Sequence, residues 1–288
     1  MTNTHPTTRE AAGRVWLITG ASSGFGLALT GAALAAGDTV VAAVRRPEAL
    51  KDLVAEHPDR VVPVELDVTD PARITAVVAE VLLWYGRIDV LVNNAGRGLI
   101  GAVEENTDRE LRDLMDLHFF GPAALTRAVL PAMRRQRSGA VVQMSSMGGR
   151  FSFAGVGAYS ATKFALEGLS EALALEVAPF GVKVLIVEPG SFRTGFAGGG
   201  ALLQSAAIEA YAETVGPVRE GLPQSDGLQP GDPAKAAAAV LAALADERTP
   251  LRLALGNDAT DAILANQDAA RAELLAWEPV SRGTDFDA

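Results

Sequence analysis

The 288-residue chain holds three tyrosines and four lysines, yet one of each stands four residues apart, in Tyr159-Ser160-Ala161-Thr162-Lys163. On a helix, residues i and i+4 share a face. An ammonium beside a phenol favours the phenolate, so the pairing is expected to lower the pKa of Tyr159 and suit it to acid–base work. Ser145-Ser146 closes a predicted strand just upstream, and strand C-termini are where ligand crevices open in parallel α/β sheets.

A second constellation lies near the N-terminus. The apolar run Val15 to Ile18 leads into Thr19-Gly20-Ala21-Ser22-Ser23-Gly24-Phe25-Gly26, where a helix begins. Glycines at 20, 24 and 26 tighten the turn, admit a pyrophosphate to the backbone and let helix pack close on strand. The helix N-terminus adds N–H groups and positive dipole. At the end of the second strand the chain reads Ala43-Val44-Arg45-Arg46-Pro47. No carboxylate waits there for ribose hydroxyls, and a guanidinium suits a 2′-phosphate, which favours NADP(H) over NAD(H). Two competing motifs fail. Gly20 to Gly24 matches the G-x-S-x-G nucleophile elbow, but no histidine follows His118; Ser160 to Lys163 matches S-x-x-K, but its S-D-N and K-T-G companions are absent.

These residues need a frame to hold them. Short apolar runs recur at Val15–Ile18, Thr39–Val44, Val61–Leu66, Ile88–Val92, Ala140–Met144, Val182–Val187 and Leu251–Leu255. Their near-continuous Val, Ile and Leu content predicts parallel strands covered on both faces. Helical patterns alternate with them. One spans Gly24 to Ala36 before Gly37, one opens at Asp70-Pro71 and runs to about Tyr85, and one carries Tyr159 and Lys163 towards Pro179. A single long helix is expected from Thr107 to about Arg135, bent at Gly121-Pro122, with Arg134, Arg135 and Arg137 compensating its C-terminal dipole. The fold class is thus α/β, a single doubly wound Rossmann domain with a mostly parallel seven-stranded sheet flanked by helices. It is expected over residues 13–277, with a flexible N-terminus at 1–12 and a fraying tail at 278–288. The Gly- and Pro-rich stretch at about 195–232 reads as a substrate lid with a short amphipathic piece near Leu202 to Thr214.

Composition removes whole classes of function. A formal charge of -10 argues against nucleic-acid and anionic-membrane partners. With no cysteine and only three scattered histidines (His5, His57, His118), disulfides, thiolate chemistry and a metal site are not expected. The polar opening MTNTHPTTRE and short apolar runs point to a cytoplasmic protein.

Taken in order, the motifs resemble those of the short-chain dehydrogenase/reductase family: TGxxxGxG at Thr19–Gly26, NNAG at Asn93–Gly96, a serine at Ser146, YxxxK at Tyr159–Lys163 and PGxxxT at Pro189–Thr194. The resemblance covers roughly residues 14 to 194. It implies that Tyr159 is the general acid in carbonyl reduction and the base in reverse. Lys163 would depress the phenol's pKa and bind the nicotinamide ribose, and Ser146 would orient the carbonyl, with Ser145 facing away. Gly20, Ser22, Ser23, Gly24, Phe25 and Gly26 would form the phosphate turn, Arg45 would meet the 2′-phosphate, and Asp67 and Val68 would border adenine. Asn93, Ala95, Gly96, Pro189, Gly190, Phe192 and Thr194 would flank the cofactor. His118 stands where many members carry an asparagine whose backbone carbonyl binds a relay water; the imidazole can itself relay protons. Loop residues Gly98, Leu99, Met147, Phe151, Phe153, Val156, Phe192, Phe196, Leu202 and Tyr211 would wall an apolar substrate pocket lacking an arginine for a carboxylate. The expected substrate is a small apolar ketone, aldehyde or secondary alcohol, and the expected assembly a homo-oligomer, dimer or tetramer, paired through helices near 107–135 and 156–179. Alternatives are an NAD-dependent alcohol dehydrogenase of the same fold, a non-catalytic NADP(H)-sensing module and a serine hydrolase.

Overall fold

The computed structural model describes residues 9–11, 13–198 and 200–286. The expected flexible N-terminus lies outside the described residues at positions 1–8 and 12. Arg9, by contrast, is docked: its N–H donates to Trp84 O at 2.7 Å and its guanidinium lies over the Trp84 ring.

All seven apolar runs are strands of one parallel sheet. In chain order the strands are β1 (Val15–Thr19), β2 (Thr39–Val44), β3 (Val61–Glu65), β4 (Val90–Asn93), the short β5 (Gly98–Ile100), β6 (Gly139–Met144), β7 (Val182–Pro189), the short β8 (Leu202–Gln204) and β9 (Arg252–Leu255). The large sheet has the order β3-β2-β1-β4-β6-β7-β9. The chain leaves β1 towards β2 and β3, then returns to place β4 on its other side. A crevice therefore opens beyond the carboxyl ends of β1 and β4.

Both faces of the sheet are covered, as continuous apolar strands require. Along β1, Trp16 and Ile18 pack into one layer with α1 (Gly24–Ala35) and α8 (Pro233–Ala245), and the small α2 (Lys51–Glu56) adds Leu53 and Val54. Val15 and Leu17 point to the opposite layer with α3 (Pro71–Tyr85), α5 (Gly121–Gln136) and α6 (Gly157–Val177). Leu17 is fully enclosed there; truncating such a side chain to alanine typically costs about 2–5 kcal/mol. Asp70 caps α3 as expected, accepting from the N–H groups of Ala72 and Arg73, with Pro71 in the first turn and Gly86 left-handed (φ 70°) beyond the end.

Three expectations need correction. The helix anticipated from Thr107 to about Arg135 is not one bent α-helix. It is α4 (Asp108–Met115), a π-turn over Asp116–Phe120, and α5. Gly121 lets the helix backbone come close to Val68 O, which a Cβ there would approach to 2.5 Å. The wide turn places His118 inside, 1 % exposed. The stretch expected as a lid is more regular than its glycines and prolines suggested. It contains β8, which pairs in parallel with β5 (Gly98↔Leu202), and α7 (Ala212–Gln224), which carries Pro217 and Pro223 within it. Val215, Val218 and Leu222 of α7 pack on Ile100 and Ala102, and that apolar contact outweighs the helix-breaking prolines. Finally, α9 (Asn257–Arg282) runs past Trp277 into the expected tail, its last turn held by the Glu278–Arg282 pair at 2.7 Å. No helix among the described residues is long and apolar enough to cross a membrane.

Candidate active site

A cleft of about 680 Å³ opens at the carboxyl end of the sheet. It brings together residues from the ends of β1, β2, β4, β6 and β7, the start of α6 and the lid.

Its first part is the glycine turn. Gly20 and Gly24 have positive φ (64° and 52°), a region open to glycine. Gly26 does not line the cleft; a Cβ there would stand 2.2 Å from Gly20 O, so only glycine lets α1 sit this close to the turn. A Cβ on Gly24 would meet Thr194 at 3.1 Å, which ties the turn to the loop after β7. Phe25 and Phe192 meet with ring centroids 5.1 Å apart, closing the same junction. Ser23 makes no side-chain capping bond, so the first N–H groups of α1 face the cleft without a side-chain competitor. This glycine-lined turn at a helix N-terminus fits the pyrophosphate of a dinucleotide.

Beside it, Arg45 is exposed at the end of β2, and its charge reaches Asp67 across the cleft. Asp67 is held below the ordinary carboxylate range: burial works against this, while the Thr69 N–H and hydroxyl and the charges of Arg45 and Arg97 outweigh it. Val68, Ala95, Gly96, Pro189, Gly190 and Thr194 also line the cleft. Asn93 does not. Its side chain turns into the core, donating to Gln143 Oε1 at 2.9 Å and Thr126 Oγ1 at 3.3 Å, and the next residue, Asn94, lines the cleft instead. Asn94 Nδ2 donates to Thr19 O and Gly20 O, bracing the glycine turn. Arg97 is a further cleft residue that the motifs did not announce. Its backbone N–H donates to His118 Nε2, and its charge acts on Asp67 and His118.

The triad comes next. Ser146 ends the strand–loop after β6, and Tyr159 and Lys163 lie one turn apart on α6. The Tyr159 ring stands between His118 (centroids 5.6 Å apart, near-perpendicular) and Phe196 (6.0 Å). Lys163 Nζ lies 5.6 Å from the centre of the Tyr159 ring and donates to Met144 O at 2.8 Å. The expected acidification of the phenol is not what this packing produces. Tyr159 is half-buried and lines the cleft, and desolvation by the surrounding protein pushes its pKa up to about 12, against a lowering influence of Ser146. Burial pushes the Lys163 ammonium down to about 8, opposed by the charge of Glu167. Desolvation therefore sets the direction of both shifts.

His118 joins the site through both of its ring nitrogens. Its Nε2 accepts from the Arg97 N–H at 3.1 Å, and its Nδ1 meets Thr162 Oγ1 at 2.9 Å. Thr162 in turn donates to Tyr159 O at 2.7 Å, which leaves its oxygen to accept from Nδ1–H. Both ring nitrogens of a neutral imidazole are thus committed. Burial, with Lys163 and Arg97, holds the pKa of His118 well below its ordinary value.

Gly98, Leu99, Met147, Phe153, Val156, Phe192, Phe196 and Leu202, expected to wall a substrate pocket, all line the same cleft. Phe151 and Tyr211 do not. Tyr211 points outward and its hydroxyl donates to Glu104 Oε2 at 2.6 Å. Leu222, Ser225 and Gln229 are lid residues that sequence reasoning missed, because the helix that carries Leu222 was hidden behind two prolines. Glu105 ties this segment to the loop before α4: it accepts from the N–H groups of Ala102 and Ile208 and from Arg219 of α7, with distances of 2.7, 2.8 and 2.8 Å. No cluster of metal-ligating side chains occurs among the described residues.

Comparison with known proteins places this geometry. A family model described as short chain dehydrogenase matches residues 14–199. "Oxidoreductase BOA17" of Botryotinia fuckeliana is 41% identical over 249 residues, covering 86% of this chain and 90% of that protein. The "3-ketodihydrosphingosine reductase" of Bacteroides thetaiotaomicron is 43% identical over 183 residues, 64% of this chain and 65% of that one. Among solved structures, a short-chain dehydrogenase from Streptomyces avermitilis is 64% identical with a TM-score of 0.90, covering 95% of this chain and 100% of that chain. A short chain dehydrogenase from Burkholderia cenocepacia, solved with NADP, is 29% identical with a TM-score of 0.71, covering 92% and 98%.

Proposed function

The chain belongs to the short-chain dehydrogenase/reductase family of oxidoreductases, and from that premise we propose that it is an NADP(H)-dependent reductase of apolar ketones or aldehydes, with the alcohols as its reverse substrates. The observation that carries this reading is the Tyr159 phenol, one turn from the buried Lys163 and lining one largely apolar cleft together with Ser146.

Nicotinamide, when bound, supplies the hydride that carbonyl reduction consumes. The rest is the work of this chain's own groups. Tyr159 Oη, with its pKa near 12, keeps its proton at neutral pH and has it to give to a carbonyl oxygen. Ser146 Oγ polarises and orients the same oxygen. Lys163, with a pKa near 8, is charged at pH 7 and stabilises the phenolate as the proton departs. Phe196, Met147 and Leu202 exclude water from the reacting atoms.

For the cofactor, the first turn of α1 and the glycines at 20 and 24 would hold the pyrophosphate, and Thr194 would close on it. Arg45, with no carboxylate at the end of β2, would take the 2′-phosphate, and Arg97 adds a second positive charge on that side. The NADP-bound Burkholderia cenocepacia relative supports this choice of nucleotide. The likeness to a 3-ketodihydrosphingosine reductase supports an apolar ketone. Subunit pairing along α5 and α6 belongs to the same proposal, supported by the exposed Phe164 and Leu175 on α6.

A panel of ketones assayed by loss of NADPH absorbance tests the reading. Aryl and long-chain alkyl ketones are expected to turn over, with sugars and charged keto acids at least about tenfold slower, the order of one or two lost apolar contacts. Turnover of only sugars or keto acids would refute the substrate class.

A further inference from the structure

Behind the triad, on the side away from the cleft, lies a buried charge cluster that the proposed chemistry does not use. Its centre is Glu167, one turn beyond Lys163 on α6 and 4 % exposed. Its Oε2 accepts from Arg252 Nε of β9 at 2.9 Å. Arg252 also pairs with Glu188 of β7 (3.2 Å) and with Glu171, and Glu188 pairs with Arg150 (3.0 Å), four residues after Ser146. Three carboxylates face two guanidiniums, leaving one negative charge, and Lys163 is the adjacent cation.

The other oxygen of Glu167 faces the catalytic loop. Ser145 Oγ and Glu167 Oε1 crowd the same point of the Gly149 backbone: a Cβ on Gly149 would stand 2.5 Å from the first and 3.2 Å from the second. Burial, with the charge of Glu188, raises the Glu167 pKa above the ordinary carboxylate range, and the Ser145 hydroxyl and Arg252 work against that rise. Ser145 thus borders both the cleft and Glu167, and neither its Oγ nor Glu167 Oε1 has a hydrogen-bond partner among the described residues.

We propose that Glu167 is a positioning residue, its carboxylate serving as the electrostatic anchor of the Lys163 ammonium and as the seat of the Ser145–Ser146 turn against α6. This rests on the roles given above to Ser146, Tyr159 and Lys163. A buried ammonium with no nearby anion sheds its proton readily, and with it the charge that steadies the Tyr159 phenolate. The groups facing Lys163 are Tyr159 and Glu167 on α6 and His118 on the π-turn. Those facing Glu167 are Glu188 on β7 and Arg252 on β9. Among them Glu167 alone raises the lysine, and burial alone opposes it.

Lysine labelled with carbon-13 at Cε reads the claim without turnover, because only Lys51, Lys163, Lys183 and Lys235 contribute signals. Lys163→Met assigns the resonance. In the wild-type chain it is expected to titrate near pH 8. In Glu167→Gln the midpoint should fall by about one to two pH units, the size of one charge at the ~6 Å typical of i,i+4 neighbours and an effective dielectric near 20. An unmoved midpoint in the folded variant overturns the anchor. Where Glu167→Gln does not fold, Glu167→Asp, which keeps the charge but withdraws it by a methylene, should lower the midpoint by a smaller amount, and no shift is again the contrary result. Ser145→Ala tests the seat: kcat should fall several-fold with the Lys163 midpoint unmoved, and an unchanged kcat overturns it. A wild-type chain that oxidises no NADPH with any ketone would defeat the proposed function while leaving the lysine titration to stand by itself.

Discussion

Replacing His118 separates a clamp from a proton relay. The imidazole is 1 % exposed, accepts from the Arg97 N–H, bonds Thr162 Oγ1 and meets the Tyr159 ring edge-on. His118→Ala strands the Arg97 N–H, which costs about 1–3 kcal/mol, and removes a ring contact worth about 0.5–1.5 kcal/mol. A loss of about 2–4 kcal/mol in unfolding free energy follows, to be read by urea denaturation at pH 7.5. The pH dependence is the sharper observable. Burial holds the folded-state pKa well below the ordinary imidazole value of 6.5, so the unfolded chain binds the proton more readily and stability falls as pH drops through 6.5. Between pH 7.5 and 5.5 this histidine alone removes about 1.4 kcal/mol when its folded form stays neutral throughout. His118→Asn should abolish that component, so the wild-type minus variant difference shrinks on acidification. The same variant should leave the pH profile of ketone reduction between 5.5 and 7 without a lost or gained ionisation. A stability difference independent of pH, or a relay-like pKa near 6 that vanishes from the activity profile, would refute the clamp.

Two further outcomes follow from the cleft. Arg45→Ala should lower kcat/KM for NADPH about tenfold or somewhat more, the low end for a charge-assisted contact because Arg45 is exposed, and leave NADH within about threefold; equal losses for both nucleotides would remove Arg45 from the 2′-phosphate. Glu105→Ala unlatches α7 from the loop before α4, so the ketone KM should rise several-fold and protease should cut within 195–232, while KM for NADPH holds; an intact, protease-resistant lid would contradict the latch.

The large sheet was legible because parallel strands buried on both faces must be apolar throughout, and runs such as Thr39–Val44 have no other good reading. The glycine turn was legible for a similar reason: at Gly26 nothing but glycine fits. What escaped was decided by tertiary contact. Asn93 and Asn94 are indistinguishable by type, and only the cross-strand register that sets Asn93 against Gln143 turns one inward and the other to the cleft. The pairing of β5 with β8, three residues each, has no signal of its own and depends on the lid returning to that edge. The π-turn that buries His118 arises where Gly121 meets Val68 O, a contact between segments some fifty residues apart. The direction of the Tyr159 shift depended on burial, which the i,i+4 spacing does not report.

The central claim is that Tyr159 donates the proton in NADPH-dependent carbonyl reduction. Single-turnover reduction of an aryl ketone by the NADPH-loaded enzyme, wild type against Tyr159→Phe, tests it most directly. Removing a positioned acid should slow the chemical step by about 10²–10⁴-fold, with the NADPH dissociation constant, followed by nicotinamide fluorescence, within about twofold of wild type. A variant that reduces the ketone at the wild-type rate would contradict the account.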